Sequence, residues 1–266
     1  MSTTPSYEER FASIQRLYGQ HAQTHIQSLH ICIVGLGGVG SWSAESLART
    51  GIGQLTLIDF DVIRPSNINR QIHSLDNTLE QKKNAALADR IRLINPLCQV
   101  NVIDDFLTLR NLEDYLALDR GYHHVIDAID SIKFKSALIH HCKRNKIPLV
   151  TTGGAGGTTD PAMVKIDDLS KTHNDPLASK VRSTLRSRYG FSRNLKRSFG
   201  IPCVYSSQQR LYPKEDGSVS HEKPGIHGVS LDCRFGYGSV SFVTATFGLF
   251  AAALAVNRSL HRLQQP

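Results

Sequence analysis

Residues 31–40 read ICIVGLGGVG, and residues 55–61 read LTLIDFD. A short apolar run, a glycine-rich turn, a helix, a second apolar run and an acid describe a nucleotide-binding βαβ unit. Gly35, Gly37, Gly38 and Gly40 let the backbone approach a phosphate closely. The helix behind them offers free N–H groups and the positive end of its dipole. Asp59 closes the second run at the distance where such folds hydrogen-bond a ribose hydroxyl, about 20 residues on. Asp61 either helps hold the ribose or caps the loop. On the glycines alone, NAD fits as well as ATP.

Outward from this unit the pattern alternates. It predicts a lead-in helix over residues 8–29 and strands over His30–Val34, Gln54–Ile58, Gln99–Ile103, His124–Ile126 and Leu149–Thr152. Helices are predicted over Val39–Thr50, Leu79–Ile94 and Ile132–Asn145. Strands alternating with helices imply an α/β chain with a doubly wound, Rossmann-like, mostly parallel sheet. Beyond residue 160 the rhythm changes. Met163–Ile166 and Val204–Leu211 read as strands, Pro176–Tyr189 as a basic helix and 213–232 as a loop. The expected organisation is a lead-in segment (1–29), a nucleotide-binding domain (30–170) and a C-terminal extension packed on it (171–266).

Residues 235–256 contain no charged side chain and are long enough to span a bilayer. The early half holds Gly236, Gly238, Ser239, Ser241, Thr244 and Thr246. Such small and polar residues suit a helix packed inside a protein, so a buried helix is expected and no integral membrane role. A subunit interface would serve as well. The 266 residues are 40% hydrophobic, enough for a sizeable core. The N-terminus shows neither a signal-peptide core nor an arginine-rich transit pattern, which predicts a cytoplasmic protein. Five scattered cysteines without a CxxC pair argue against a zinc site and against a disulfide framework. Cys203, in GIPCVYS, is expected to be an inert buried thiol, with a nucleophilic role as the alternative.

The net charge is +8, and its placement is informative. From Pro176 to Lys214 there are nine Lys or Arg and no acid. Lys180, Arg182, Arg186, Arg188, Arg193, Lys196 and Arg197 form the dense part. A solvated face usually mixes signs. Clustered cations of one sign favour a polyanion, because they release counterions from its phosphates.

A dehydrogenase would explain the glycines and Asp59 but not the polar residues that follow. Ser66, Asn67, Asn69, Arg70 and Gln71 stand in the loop after the second strand, and Lys83 lies in the next helix. Asp130 and Ser131 end VIDAIDS after the fourth strand. All fall near C-terminal strand ends, where open α/β sheets bind ligands. Together they supply cations for a triphosphate and a carboxylate for a divalent metal, which is equipment for splitting ATP.

These residues resemble the ATP-dependent adenylating enzymes related to ubiquitin-activating enzyme, including MoeB and ThiF. The matching stretches are GLGGVG (35–40), IDFD (58–61), SNINRQ (66–71), Lys83, INP (94–96) and DAIDS (127–131). The resemblance implies that Gly38 contacts the nucleotide and Asp59 the ribose. Ser66 to Arg70 with Lys83 would contact the triphosphate, and Asp130 would hold Mg²⁺. It also implies a homodimer in which Arg16 enters the partner's site. A monovalent cation (Na⁺ or K⁺) and a cysteine desulfurase or sulfur-acceptor partner are further expectations of that likeness.

RFASIQRLYG (10–19), SWSAESLARTGIG (41–53), RNKIPLVTTGGAGG (144–157), DPLASKVR (175–182) and FVTATFG (242–248) look like one subgroup. Its members dehydrate threonylcarbamoyladenosine beside the tRNA anticodon. The basic run then implies tRNA as substrate, and the glycines at 153–157 a pocket for the modified base. Activation of a small sulfur-carrier protein is the alternative, and an NAD-binding module a more distant one.

Overall fold

The computed structural model describes residues 5–214, 216–222 and 237–263. Cys233, residues 223–232 of the expected loop, and Phe235 and Gly236 of the expected apolar helix lie outside the described residues.

Two helices open the chain, α1 (Tyr7–Tyr18) and α2 (Gln20–Ser28). The single lead-in helix expected over 8–29 is broken at Gly19, whose φ of +87° lies outside helical space. Ser6 starts α1 with a reciprocal cap. Its hydroxyl accepts from the Glu9 N–H at 3.1 Å, and the Glu9 carboxylate accepts from the Ser6 N–H at 2.7 Å.

Apart from a short antiparallel pair, Tyr212–Pro213 with Val219–Ser220, largely inside the stretch expected to be a loop, the strands are β1 (His30–Val34), β2 (Gln54–Ile58), β3 (Gln99–Ile103), β4 (His124–Asp127), β5 (Leu149–Thr152), β6 (Val164–Asp168) and β7 (Pro202–Ser206). These seven form one sheet in the order β3-β2-β1-β4-β5-β7-β6, with only β6 antiparallel to its neighbour. The remaining helices are α3 (Gly40–Arg49), α4 (Lys83–Ile94), α5 (Leu112–Tyr115), α6 (Ile132–Arg144), α7 (Pro176–Arg188) and α8 (Ser241–Leu263).

Alternation along the strands sorts the core into two layers. Ile31, Ile33, Leu55, Leu57 and Ile126 face α3, α4 and α8. Cys32, Val34, Ile58 and Val125 face α6 and α7, meeting Leu138, Val181 and Leu185. Both faces of a parallel sheet are thus covered, which is why β1 is buried along its whole length.

Several boundaries differ from expectation by one or two residues, and three differ by more. The helix expected from Leu79 starts at Lys83, because Lys82 pairs with Val62 in an isolated bridge and Glu80 takes a φ of +63°. The strand expected over Val204–Leu211 is β7, which stops at Ser206, where its antiparallel pairing ends against Val164. The apolar helix expected over 235–256 starts at Ser241 and runs on to Leu263. Residues 237–240 instead run as non-helical chain that accepts from the Gly157 N–H at Gly238 O (2.8 Å).

The α8 helix lies on α3 and across β4, β5, β6 and β7. A Cβ at Gly248 would stand 2.4 Å from Val39 O, so glycine is what allows the two helices this separation. The Ser43 hydroxyl then donates to Gly248 O at 3.0 Å. More than half of the most apolar stretch of α8 is buried, as in the core helix of a soluble protein.

Three histidines are buried, and each is held below the ordinary imidazole value mainly by burial. His30 and His73 are lowered to about 4 and His124 to about 3. In the unfolded chain they titrate near the ordinary value of about 6.5. Their neutral forms add no penalty above that pH. Below it the unfolded chain takes up protons that the folded chain refuses, until the folded values are reached. The melting temperature is therefore expected to fall progressively from pH 6.5 to about 4. Calorimetry across that range checks this, and a flat profile would contradict it.

Candidate functional site

The chain leaves β1 toward one face of the sheet and β4 toward the other, so the two neighbouring strands mark the reversal of strand order. Ligands of open α/β sheets bind in the crevice outside the C-terminal ends at such a reversal. The glycine turn fills that position. Gly35 N–H donates to Ile58 O at 2.9 Å, tying the turn to β2. A Cβ at Gly40 would lie 1.9 Å from Gly35 O, so α3 can begin this close only with glycine there. Gly37 faces open space, and Gly38 lies against the Arg70 side chain.

Asp59 is held from both sides. Its Oδ2 accepts from the Leu36 N–H at 2.6 Å, and its Oδ1 from the Asp61 N–H at 2.9 Å. A carboxylate has about four acceptor positions, so hydroxyls can still be bound. Asp61 pairs through Oδ2 with Lys83 Nζ at 2.7 Å. Lys83 is buried, whereas Lys82 turns outward to Phe60 O and Asp104.

The Arg70 guanidinium donates to Ser66 O (2.7 Å) and to Asn69 Oδ1 (2.9 Å). Its carbonyl accepts from Trp42 Nε1 at 3.0 Å, which fixes the loop on α3. Asn69 Nδ2 reaches Ser239 O at 2.9 Å, just before α8. Asn67 is buried, and its Oδ1 accepts from the Arg64 N–H, so it shapes the loop. Gln71 and His73 are buried behind this loop.

On the β4 side, Ala128 N–H donates to Val34 O at 2.9 Å and brings the strand end beside the glycine turn. Asp130 follows two residues later. It is exposed, with no ion pair or hydrogen bond from its side chain to the described residues. Ser131 is the N-cap residue of α6, and its hydroxyl makes no capping bond. A free carboxylate suits a hard divalent cation, whose other positions phosphate oxygens and waters fill. Among the described residues no three His, Cys, Asp or Glu cluster as a metal site, so Asp130 would be a lone protein ligand.

Several features of the site have no local signal in the sequence. Asp127 is wholly buried and pairs with Lys135, its Oδ2 lying 3.0 Å from Lys135 Nζ and accepting from Thr151 Oγ1 at 2.6 Å. A second buried pair, Asp175 and Arg210, lies under the glycine-rich loop after β5. Asp175 Oδ2 accepts from the Gly154 N–H (3.0 Å) while its Oδ1 caps α7 at the Ala178 N–H (2.9 Å). Arg210 donates to Gly156 O at 2.5 Å. An aromatic row, Phe60–Phe106–Phe134, has centroid spacings of 5.0 and 4.9 Å and lines the same edge of the sheet.

The basic run divides. Lys180, Arg188, Arg193, Lys196 and Arg197 are exposed. Arg182 is half-buried and bonded to Thr172, and Arg186 donates to Ser192 O and lies over the Phe199 ring. Arg210 is committed to Asp175. Cys203 is buried in β7, and burial pushes its thiol well above the ordinary range. Arg16 is exposed on the last turn of α1, bonded to Ser13 Oγ at 2.9 Å. The first turn of its helix is anchored by Tyr7 on Gly51, at the far end of α3 from the glycine turn.

Comparison with known proteins gives three findings. The model of the ThiF family matches residues 9–265. The tRNA threonylcarbamoyladenosine dehydratase of Escherichia coli (strain K12) is 48% identical over 256 residues, covering 96% of this chain and 95% of that protein. Crystal structures of the E. coli enzyme match with 44% sequence identity. The complex with AMP has a TM-score of 0.87 and covers 100% of both chains. The complex with ATP has a TM-score of 0.86 and covers 99% of this chain and 98% of that one.

Proposed function

The chain belongs to the ThiF family, and from that premise we propose that it is an ATP-dependent enzyme that dehydrates threonylcarbamoyladenosine in tRNA. The observation that carries this reading is the near full-length likeness to enzymes of that activity, combined with a phosphate-ready strand-end crevice. The threonyl carboxylate attacks the α-phosphate of ATP, forming the acyl–oxygen–phosphorus link as pyrophosphate leaves. A nucleophile of the same side chain then attacks the acyl carbon, closes a ring and expels AMP. The net change is loss of one water. No enzyme nucleophile is required, because the attacking group is already tethered. The buried Cys203 agrees with that.

The protein's share of the work is position and charge. Gly37 faces open space and leaves the α3 N-terminus accessible to phosphate, while Gly38 lets the Arg70 side chain lie close beside it. Arg70 and Lys83 offset charge on the oxygens that leave, and Asp59 holds the ribose. When bound, Mg²⁺ supplies Lewis-acid stabilisation of the phosphates, with Asp130 as its holder. Arg16 acts on the partner's nucleotide in a homodimer, supported by its exposure next to the exposed Leu17 and Tyr18. The tRNA lies on the exposed cations of α7 and the loop after it, in the cytoplasm.

Mass spectrometry of nucleosides from tRNA incubated with enzyme and ATP tests the function. The modified adenosine should lose the mass of one water. AMP formation driven instead by a carrier protein ending in Gly-Gly, with tRNA inert, would replace this reading by sulfur-carrier activation. Reversing Lys180, Arg188 and Arg193 to Glu should weaken tRNA binding and flatten its salt dependence by about one slope unit per lost phosphate contact. Arg182 and Arg186 are poorer probes, since both already have partners in the fold.

A further inference from the structure

At the opposite end of α6 from Asp130 lies a cavity of about 420 Å³. Its walls include Leu109, Glu113, His140, Arg144, Asn145 and Tyr189. The catalytic reading gives none of them a task. Tyr189 and His140 form one wall, with ring centroids 4.7 Å apart and planes tilted by 31°. Burial and the nearby Arg144 hold His140 below its ordinary pKa, so near neutral pH it is an uncharged aromatic surface. Arg144 and Glu113 are exposed, and their side chains have no ion pair or hydrogen bond among the described residues.

The position of the cavity follows from two helices. The α6 helix begins just after Asp130 and ends at Arg144. The α7 helix is capped at its start by Asp175, which holds the glycine-rich loop, and at its end by Tyr189. The two helices pack together and run the same way, from the crevice to the cavity. Thirteen residues of helix span about 20 Å. Along that track and around its far end stand Lys180, Arg188, Arg193, Lys196 and Arg197, all exposed.

We propose that this cavity receives an unstacked base of the tRNA, about 20 Å from the modified adenosine. The proposal rests on the tRNA reading above and extends it to a second contact. Single-stranded bases are recognised by stacking on aromatic side chains and by hydrogen bonds to their edges. Tyr189 and His140 supply the stack, and Asn145 and Glu113 stand beside it. Glu113 disfavours a phosphate inside the cavity but suits a base with an exocyclic amine, which a carboxylate accepts from. Arg144 is left for the backbone phosphate of that nucleotide.

The test is tRNA binding by the full chain at several salt concentrations. Tyr189→Ala should weaken binding about tenfold at every salt concentration, without changing the slope of affinity against salt. Tyr189→Phe should restore it, and ATP affinity should match the unaltered protein in both variants. Independently, tRNA carrying 4-thiouridine should cross-link under ultraviolet light to the peptide containing Tyr189. Binding by Tyr189→Ala equal to the unaltered protein would overturn the cavity assignment while leaving the tRNA reading in place. So would a loss seen only as a reduced salt slope, or a cross-link that avoids this peptide. If the unaltered protein binds no tRNA at all, the reading beneath it fails as well.

Discussion

Asp130→Ala is expected to abolish AMP formation from ATP and tRNA while leaving the fold untouched. The rate should drop at least about 1,000-fold, the several kcal/mol that a Lewis acid contributes to phosphoryl chemistry. The side chain is exposed and bonds to nothing in the described structure, so its loss removes no packing and no ion pair. Melting temperature should therefore stay within about 2 °C, as for an ordinary surface substitution. Lys83→Ala should cost about 100- to 1,000-fold, as for other single groups aimed at developing charge. Its partner Asp61 is half-exposed, and water can solvate it once the ammonium is gone. Single-turnover assays with labelled ATP, run beside calorimetry, separate these effects. An Asp130→Ala protein within threefold of full activity would remove Asp130 from the mechanism.

Much of the nucleotide half was legible because its signals are local. Apolar runs of five residues, glycines at fixed offsets and an acid after the second strand each state a backbone requirement within one βαβ unit. Of the adjacent lysines 82 and 83, the structure buries Lys83, the one expected to meet the triphosphate, and exposes Lys82. What stayed hidden depends on partners far away in the chain. Asp127 looks like an alternating strand residue until Lys135 and Thr151 are placed against it. Asp175 and Arg210 are 35 residues apart, and only the fold shows that they clamp the glycine-rich loop. The basic run was legible as a run, but not its division into exposed cations and arginines already bonded to Thr172, Ser192 and Asp175.

The same division explains why the C-terminal part is hard to read. Its strands β6 and β7 are added at the edge of a sheet begun about 130 residues earlier. The end of β7 is set by where its antiparallel neighbour β6 begins, at Val164, rather than by its own sequence. The start of α8 is set by residues 237–240, which are pinned to Gly157 and Asn69 before the helix begins. No helix-start signal in the apolar run marks Ser241, whereas the tertiary contacts do.

Lys135→Met should be the most destabilising single change in the crevice. Lys135 is 1% exposed and Asp127 is 0% exposed, so neither can turn to water when the other is lost. Lys135 Nζ also donates to Ile129 O at 2.9 Å, the residue just before Asp130. Breaking a buried pair from one side costs about 3–5 kcal/mol, because an unpaired charge is left in the interior. The cost should depend on pH. Burial already pushes the Asp127 carboxyl up, against Lys135 and Thr151, and removing the cation raises it further. A carboxyl raised in the folded state adds stability below its unfolded value of about 3.9 and loses it as pH rises through the folded value. The deficit relative to the unaltered protein should thus be smallest near pH 4 and grow toward pH 8. Comparing the two proteins at each pH cancels the histidine contributions common to both. Adding Asp127→Asn should recover a large part of the loss, since the amide oxygen can still accept from the Ile129 N–H while the amide nitrogen donates to Thr151 Oγ1, without a charge. Urea denaturation of the single and double variants at pH 5 and 8 decides the matter. A deficit that is independent of pH, or no recovery in the double variant, would mean that lost packing around the methylene chain of Lys135 and not the uncompensated carboxylate accounts for the instability.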